Sequence, residues 1–319
     1  MSKKKEFNFA GFYSKYGIFF LFVIMFILMS IINENFLSGV NITNIARQIV
    51  VITILACGEQ LMLIAGLIDL SVGSVLALSG CVAASVVVNT GNAPLAVIIG
   101  LIIGLVCGAV NGGILVAFDI PPFITTLATM MIARGAVYVF TDGVPISQLG
   151  DAFCWVGQGY IGPIPTPVVI MVIALVITWV ILNQTRTGRY IYAVGGNQDA
   201  ANASGVNINY IKFFASAFSG LMAGLAGVIL MARMNSGQPI AGESYEMDAI
   251  TAVVVGGTSM AGGVGNIPGT IVGSCIIGII KNFMNLQNIN SYWQQIVQGI
   301  IVCVAVIIDV KVRKANSKA

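Results

Sequence analysis

Four ionisable residues lie inside long apolar runs of this chain: Glu59, Asp69, Arg134 and Asp248. A charge placed in hydrocarbon costs several kcal/mol, roughly 3 on insertion scales, so each of the four needs a partner or a polar path. Glu59 and Asp69 flank Gly66, in a stretch running from Gly58-Glu59-Gln60 to Gly66-Leu67-Ile68-Asp69-Leu70-Ser71-Val72-Gly73-Ser74. Two readings of this break are open. Asp69 caps the next helix by accepting the backbone N–H of Ser71 or Val72, or the break lines a polar pathway, because irregular backbone at depth is tolerated where it faces water or protein. The stretch Asp119-Ile120-Pro121-Pro122-Phe123-Ile124-Thr125-Thr126 repeats the pattern of a marked turn followed by a hydroxyl-bearing helix start. Arg134 is expected to neutralise one of the buried acids. The chain has no histidine, which excludes imidazole catalysis and zinc sites of the histidine type. Its cysteines, Cys57, Cys81, Cys107, Cys154, Cys275 and Cys303, show no CxxC spacing and read as small core hydrophobes, with no metal site expected. Nor is there a GxxxxGK[ST] phosphate loop.

The elements that carry these residues follow from composition. Of 319 residues 57% are hydrophobic and 8% charged, whereas soluble domains carry about 25% charged residues. One aqueous core cannot hide that apolar surface, so the solvent is the bilayer. The net charge of +3 gives no reason to expect a nucleic acid partner. The fold expected is all-α: a polytopic integral membrane protein of about ten transmembrane helices, forming one transmembrane domain over 1–319. The predicted spans run from Ile18 to Ile32, Ile45 to Ala65, Leu70 to Val88, Leu95 to Phe118, Phe123 to Phe140, Pro167 to Leu182, Ile211 to Met231, Asp248 to Val255, Pro268 to Phe283 and Tyr292 to Ile308. The first is read as a retained helix, because no small-residue cleavage site follows it. The eighth is too short to cross alone. It is either extended by Gly256-Gly257-Thr258 or is a broken helix lined by protein.

Lys and Arg collect on cytoplasmic loops. With both termini cytoplasmic, that side gathers Lys3, Lys4, Lys5, Lys15, Arg186, Arg189, Lys212, Lys311, Arg313, Lys314 and Lys318, against Arg47, Arg233 and Lys281 towards the other side. The outer connection from Thr141 to Thr166 is rich in Gly and Pro and contains Trp155 and Tyr160, which predicts a short structured element at the interface. Gly100, Gly104, Gly108 and Gly112 recur every four residues on one helical face, as do Ser216, Gly220 and Gly224, with Gly269 and Gly273 following the same logic. Such faces permit the close backbone approach that holds helices together in lipid. The glycine-rich breaks near Asp69 and Gly256 hint at an internal repeat.

The longest polar stretch is the cytoplasmic loop over about 183–210. Within it Asn197 is a plausible N-cap, Asp199 lies in the positive first turn, Ala200 to Ala203 favour helix, and Gly205 ends it. A turn followed by a short helix with an Ala/Ser face, held beside the membrane, can dock into a groove on a soluble partner.

Three separated segments, Gly66 to Ser74, Gly188 to Gly205, and Val255-Gly256-Gly257-Thr258-Ser259-Met260-Ala261-Gly262-Gly263, resemble permease subunits of bacterial sugar-importing ABC transporters, closest to the ribose type. The likeness extends from about Phe36 to Asp309. It departs at Leu67, where a small or polar residue is expected before Ile-Asp. The resemblance implies a ten-span, multi-pass permease of the bacterial plasma (inner) membrane that pairs with a second copy of itself as a homodimer. It would contact a cytoplasmic ATPase through a coupling loop of Gly188, Arg189, Gly195, Asn197, Ala200, Ala201, Ser204 and Gly205. ATP and Mg would sit on that partner, with no cofactor and no catalytic residue in this chain. An extracytoplasmic sugar-binding protein would deliver a monosaccharide, ribose or a related pentose. Path-lining candidates are Asp69, Ser71, Ser74, Asn111, Phe123, Thr125, Thr126 and Thr129. Three alternatives are a permease of the branched-chain amino acid type, an ion-coupled secondary carrier, which would leave the loop motif without a purpose, and a membrane enzyme, which should show a catalytic cluster.

Overall fold

The structure, a computed structural model, describes residues 9–316, with side chains described from 17 to 311 apart from 308. It is built almost wholly of helices. In chain order these are α1 (Phe9–Ile32), α2 (Gly39–Ile64), α3 (Val72–Thr90), α4 (Ala93–Phe118), α5 (Pro122–Thr141), α6 (Asp151–Gln158) and α7 (Thr166–Gln184). There follow α8 (Arg186–Gly196), α9 (Gln198–Ala203), α10 (Ile208–Met234), α11 (Tyr245–Val255), α12 (Ile267–Leu286) and α13 (Ser291–Asn316). Four two-residue strands, β1 (Ile146–Ser147), β2 (Tyr160–Ile161), β3 (Ile164–Pro165) and β4 (Ser236–Gly237), pair antiparallel as β1 with β4 and β2 with β3. Among the described residues eight helices are long and apolar enough to cross a membrane: α2, α3, α4, α5, α7, α10, α12 and the stretch Ser291–Lys311 of α13. The apolar part of α1, Gly17–Ile32, is shorter, and α11 has 11 residues. Lys3, Lys4, Lys5 and Lys318 lie outside the described residues.

Helix starts follow local chemistry. Ser38, Asn92, Asn197, Asn207 and Asn266 each accept a backbone N–H from the first turn of α2, α4, α9, α10 and α12. This satisfies donors that the helix itself leaves free.

The bundle is an inverted repeat. The series α2 to α5 matches the series α10 to α13 in order and partners. Helix α4 packs antiparallel on α10, and α12 packs antiparallel on α2, with Gly278 against Ile49 and Asn282 bonded to Asn41. The two leading helices, α2 and α10, themselves cross antiparallel where Gly58 meets Ser219 and Met62 meets Ser216. The two units therefore run in opposite directions.

In each unit the second crossing is broken, with an irregular segment preceding a helix: 65–71 before α3, and 235–244 before α11. The second of these runs down α3 from the β1–β4 end, with Gly237 beside Cys81 and Ala84, and Gly242 beside Gly73 and Leu76. The short eighth segment is accordingly a broken helix. It is completed on its N-terminal side and not by Gly256-Gly257-Thr258, since Gly256 caps the end of α11. The counterpart of the break at Asp69 is thus the 235–244 segment rather than the glycines at Gly256.

The glycine faces do pack. Gly104 and Gly108 of α4 lie directly on Gly220 and Gly224 of α10, and Gly100 lies on Val228. Gly269 and Gly273 lie on Gly256 and Ala252. The expected interface element between Thr141 and Thr166 is α6 with the β2–β3 hairpin.

Candidate functional site

A buried polar junction lies where the two broken crossings meet. The Asp69 carboxylate is 1% exposed. One of its oxygens accepts the Ser71 backbone N–H at 2.9 Å and the Ser71 hydroxyl, and the other accepts the Ser219 hydroxyl at 2.8 Å. Ser71 Oγ in turn accepts from Asn111 Nδ2 at 3.0 Å, and Asn111 Oδ1 accepts from Thr129 Oγ1. The donors thus run Thr129 to Asn111 to Ser71 to Asp69, with Ser219 closing from the other side. One carboxylate ties α4, α5 and α10 to the turn before α3. The expected cap at Ser71 is present, and the same oxygens do a second, long-range task. Glu59 is fully buried beside Asp69, whose backbone faces its carboxylate, and among the described residues neither carboxyl oxygen meets a donor at good hydrogen-bond geometry. Glu246 reaches the same junction from α11, with its carboxylate against Gly73.

Of the path candidates, the structure brings Asp69, Ser71, Asn111 and Thr129 into this one network. Ser74 is buried close by. Thr126 donates to the carbonyls of Pro122 and Ile68, the latter inside the break. Thr125 is buried with no hydroxyl partner among the described residues. Phe123 stands apart, 53% exposed on the outside of the protein. Sequence reasoning left Ser219 out of the cluster, because nothing local distinguishes it from the packing serines on the same helix.

Arg134 departs from expectation. Among the described residues it forms no salt bridge, although its charge acts on Glu246 across the junction, and it donates to the carbonyls of Pro239 at 2.6 Å and Ala241 at 2.9 Å. Its guanidinium satisfies two carbonyls of the irregular 235–244 backbone, those of Pro239 and Ala241. Asp248 is neutralised by Lys281, and it also accepts from Gln298 at 2.6 Å. The signal for this pair was the lone lysine inside the ninth apolar run.

The end of the bundle that carries α8 and α9 holds the coupling candidates. The sequence pattern led to a turn and one short helix, but the segment is two helices. Gly188, Ile191 and Val194 form a buried face that seats α8, with Gly188 packed on the last carbonyls of α7. The glycines that argued for a turn serve close contact instead. Asn197 Oδ1 caps α9 through Ala200 N–H at 2.9 Å, and Gly205 terminates it at φ +82°. Ala201 is buried, while Asp199, Ala200, Asn202, Ala203, Ser204 and Gly205 face outward, as does Arg189 on α8. Gly195 is pressed onto the carbonyl of Ile64. The predicted set therefore divides into exposed Arg189, Asn197, Ala200, Ser204 and Gly205, and supporting Gly188, Gly195 and Ala201. Tyr192, which sequence reasoning passed over, donates to the Gly265 carbonyl at 2.8 Å, and burial pushes its phenol up from the ordinary range.

The opposite end opens into a polar crevice of about 460 Å³, lined by Asn41, Asn44, Arg47, Gln48, Arg233 and Asn282 among others. Arg47 donates to the Gln158 carbonyl of α6 and lies over the Tyr160 ring, and Arg233 donates to the Arg47 carbonyl.

An inverted repeat with two broken crossings meeting at a buried polar junction defines a helical membrane transport subunit. The chain belongs to the family described as "Branched-chain amino acid transport system / permease component", which matches residues 41–306. It is 46% identical to the "Ribose import permease protein" of Bacillus subtilis (strain 168), with 97% of each chain covered, and 45% identical to that of Haemophilus influenzae, with 91% of each covered. The L-arabinose transport system permease protein of Escherichia coli (strain K12) is 38% identical, with 98% of this chain and 95% of the relative covered. No solved structure matches the chain. The protein is thus a multi-pass permease component of the inner membrane.

Proposed function

We propose that this chain is the membrane-spanning subunit of an ATP-driven importer that admits a monosaccharide, ribose or a related pentose. The observation that carries the reading is near full-length similarity to ribose import permeases, supported by an exposed Ala/Ser helix on a rigid seat at one end of the bundle. In this reading α9 is the surface on which a cytoplasmic ATPase docks. That subunit holds ATP and Mg, and the permease binds no cofactor of its own. Arg186, Arg189, Lys212 and Lys311 lie towards the α9 end, which supports a cytoplasmic placement for it and for both termini, with α1 and the broken α11 crossing bringing the count to ten. The crevice at Arg47 and Arg233 then faces outward, where a sugar-binding protein would deliver its cargo. A second copy completes the pathway, and lipid covers the remaining exposed apolar faces, such as those of α5 and α13.

The sugar path needs only hydroxyls and amides. The binding protein selects the sugar, and the permease alternates between two arrangements biased by ATP at its partner. The repeat boundary at Asp69, Ser71, Asn111 and Ser219 is the part of the bundle around which such a change pivots.

The test is co-purification from the native membrane in mild detergent with uptake of labelled ribose in cells. The parent chain should bring down an ATPase with two nucleotide-binding halves and support ribose uptake. Ala200→Glu and Ala203→Glu place charge on the exposed face of α9 and should abolish both without lowering the amount of folded permease. Retained ATPase with both variants would overturn the docking surface. Uptake of an amino acid, and not of ribose, by the parent would overturn the substrate.

A further inference from the structure

The glycine-rich run from Val255 to Gly263 is left without a task by the docking surface and by the polar junction. Its backbone is packed against the end of α8 with no side chain between. Gly262 and Gly263 adopt φ of +89° and +74°, a region that favours glycine. A Cβ on Gly262 would lie 2.6 Å from the Gly195 carbonyl oxygen, and one on Gly263 would lie 2.8 Å from Gly196 Cα. The Gly263 N–H donates to the Ile64 carbonyl at the end of α2 at 2.8 Å, and Tyr192 of α8 donates to Gly265. The far side of the same loop is tied into the bundle. Thr258 exchanges hydrogen bonds with Gln60 of α2, Thr270 of α12 donates to Gln60, and Ser259 donates to Asp309 of α13 at 3.4 Å.

Backbone pressed on backbone has no rotamer that could absorb a displacement, and packed interiors transmit strain rather than dissipating it. Only Asn197 separates α8 from α9. The geometry points to the contact of Gly195 and Gly196 with Gly262 and Gly263 as the mechanical junction of the transporter: it passes movement of the docked α9 to α2, α12 and α13. Gly262, Gly263 and Tyr192 are positioning residues for coupling and touch neither the sugar nor the ATPase. The inference rests on the reading of α9 as the ATPase surface.

The experiment uses the assembled transporter in proteoliposomes, with labelled ribose uptake and ATP hydrolysis measured on the same preparation. Gly263→Ala forces the junction apart. Gly257→Ala is the control, because Gly257 has φ +89° in the same loop with no atom within 4 Å of its would-be Cβ, so it carries the backbone strain without the collision. In Gly263→Ala the ATPase should remain bound and hydrolyse ATP while uptake per ATP falls about tenfold or more, within the range of site-to-site coupling. Gly257→Ala should keep the parent ratio. Tyr192→Phe removes one hydrogen bond without altering the backbone and should lower the ratio severalfold, so it carries the test if Gly263→Ala fails to assemble. Parent-like uptake per ATP in Gly263→Ala, or in Tyr192→Phe where that variant carries the test, would overturn the junction while leaving the docking surface intact. Absence of any ATPase from the parent would overturn both.

Discussion

The seam between α4 and α10 predicts opposite outcomes for the same substitution at two glycines on one helix. Gly104 and Gly113 both lie within α4, so changing either to Ala should gain about 0.5–1 kcal/mol of helix propensity. At Gly113 no atom lies within 4 Å of the added Cβ, and the gain should stand. At Gly104 the Cβ would lie 2.6 Å from Gly224 Cα and 2.7 Å from Gly224 N, against a carbon contact distance of about 3.5–4.0 Å. The two backbones must separate by on the order of 1 Å, at an overpacking cost of about 1–3 kcal/mol. That cost matters more here than in water, because close approach is what holds helices together in lipid. The propensity gain is common to both, so the variants should differ by the overpacking cost of about 1–3 kcal/mol, with Gly113→Ala above the parent and Gly104→Ala at or below it. Thermal unfolding in one detergent, followed by the fraction that remains monodisperse after heating, should separate them by several degrees. Equal shifts, or a more stable Gly104→Ala, would show that α4 and α10 do not meet through their backbones.

Other consequences can be checked in the same way. Lys281→Met leaves Asp248 buried without its cation and should destabilise by about 3–5 kcal/mol, while the double change with Asp248→Leu should recover much of that loss in the same thermal assay. Ser219→Ala removes one of the donors to Asp69 and should cost about 1–3 kcal/mol, and a Ser219→Thr variant that keeps the hydroxyl should cost less. Burial first, and the nearby Asp151 carboxylate second, push the Cys154 thiol up, so little thiolate exists at neutral pH. Maleimide labelling of Cys154 should therefore be slow in the folded protein, rise as pH is raised above the usual thiol range, and become fast after denaturation. Rapid labelling at pH 7 in the native state would contradict the burial.

What the sequence determined by itself is what neighbours along the chain decide. Hydropathy placed the long crossings close to their observed ends. Short-range hydrogen bonding placed the Asn197 cap on α9 and the Asp69 cap at Ser71, because donor and acceptor lie two or three residues apart. The four-residue glycine period showed that α4 must meet a neighbour closely, though not that the neighbour was α10. The tertiary structure decided everything that depends on distant partners. Asp69 is satisfied by Ser219, 150 residues away, and Arg134 holds carbonyls 105 and 107 residues on, where an ion pair was expected. The segment containing Gly188 and Gly195 is a helix despite its glycines, because Ile191 and Val194 gain a buried face and the glycines gain close contacts that no single-sequence propensity contains. The pairing of the two breaks was hidden for the same reason. The 235–244 crossing has no helical period to detect, and its backbone is tolerable at depth only because Arg134 and α3 are already there to meet it.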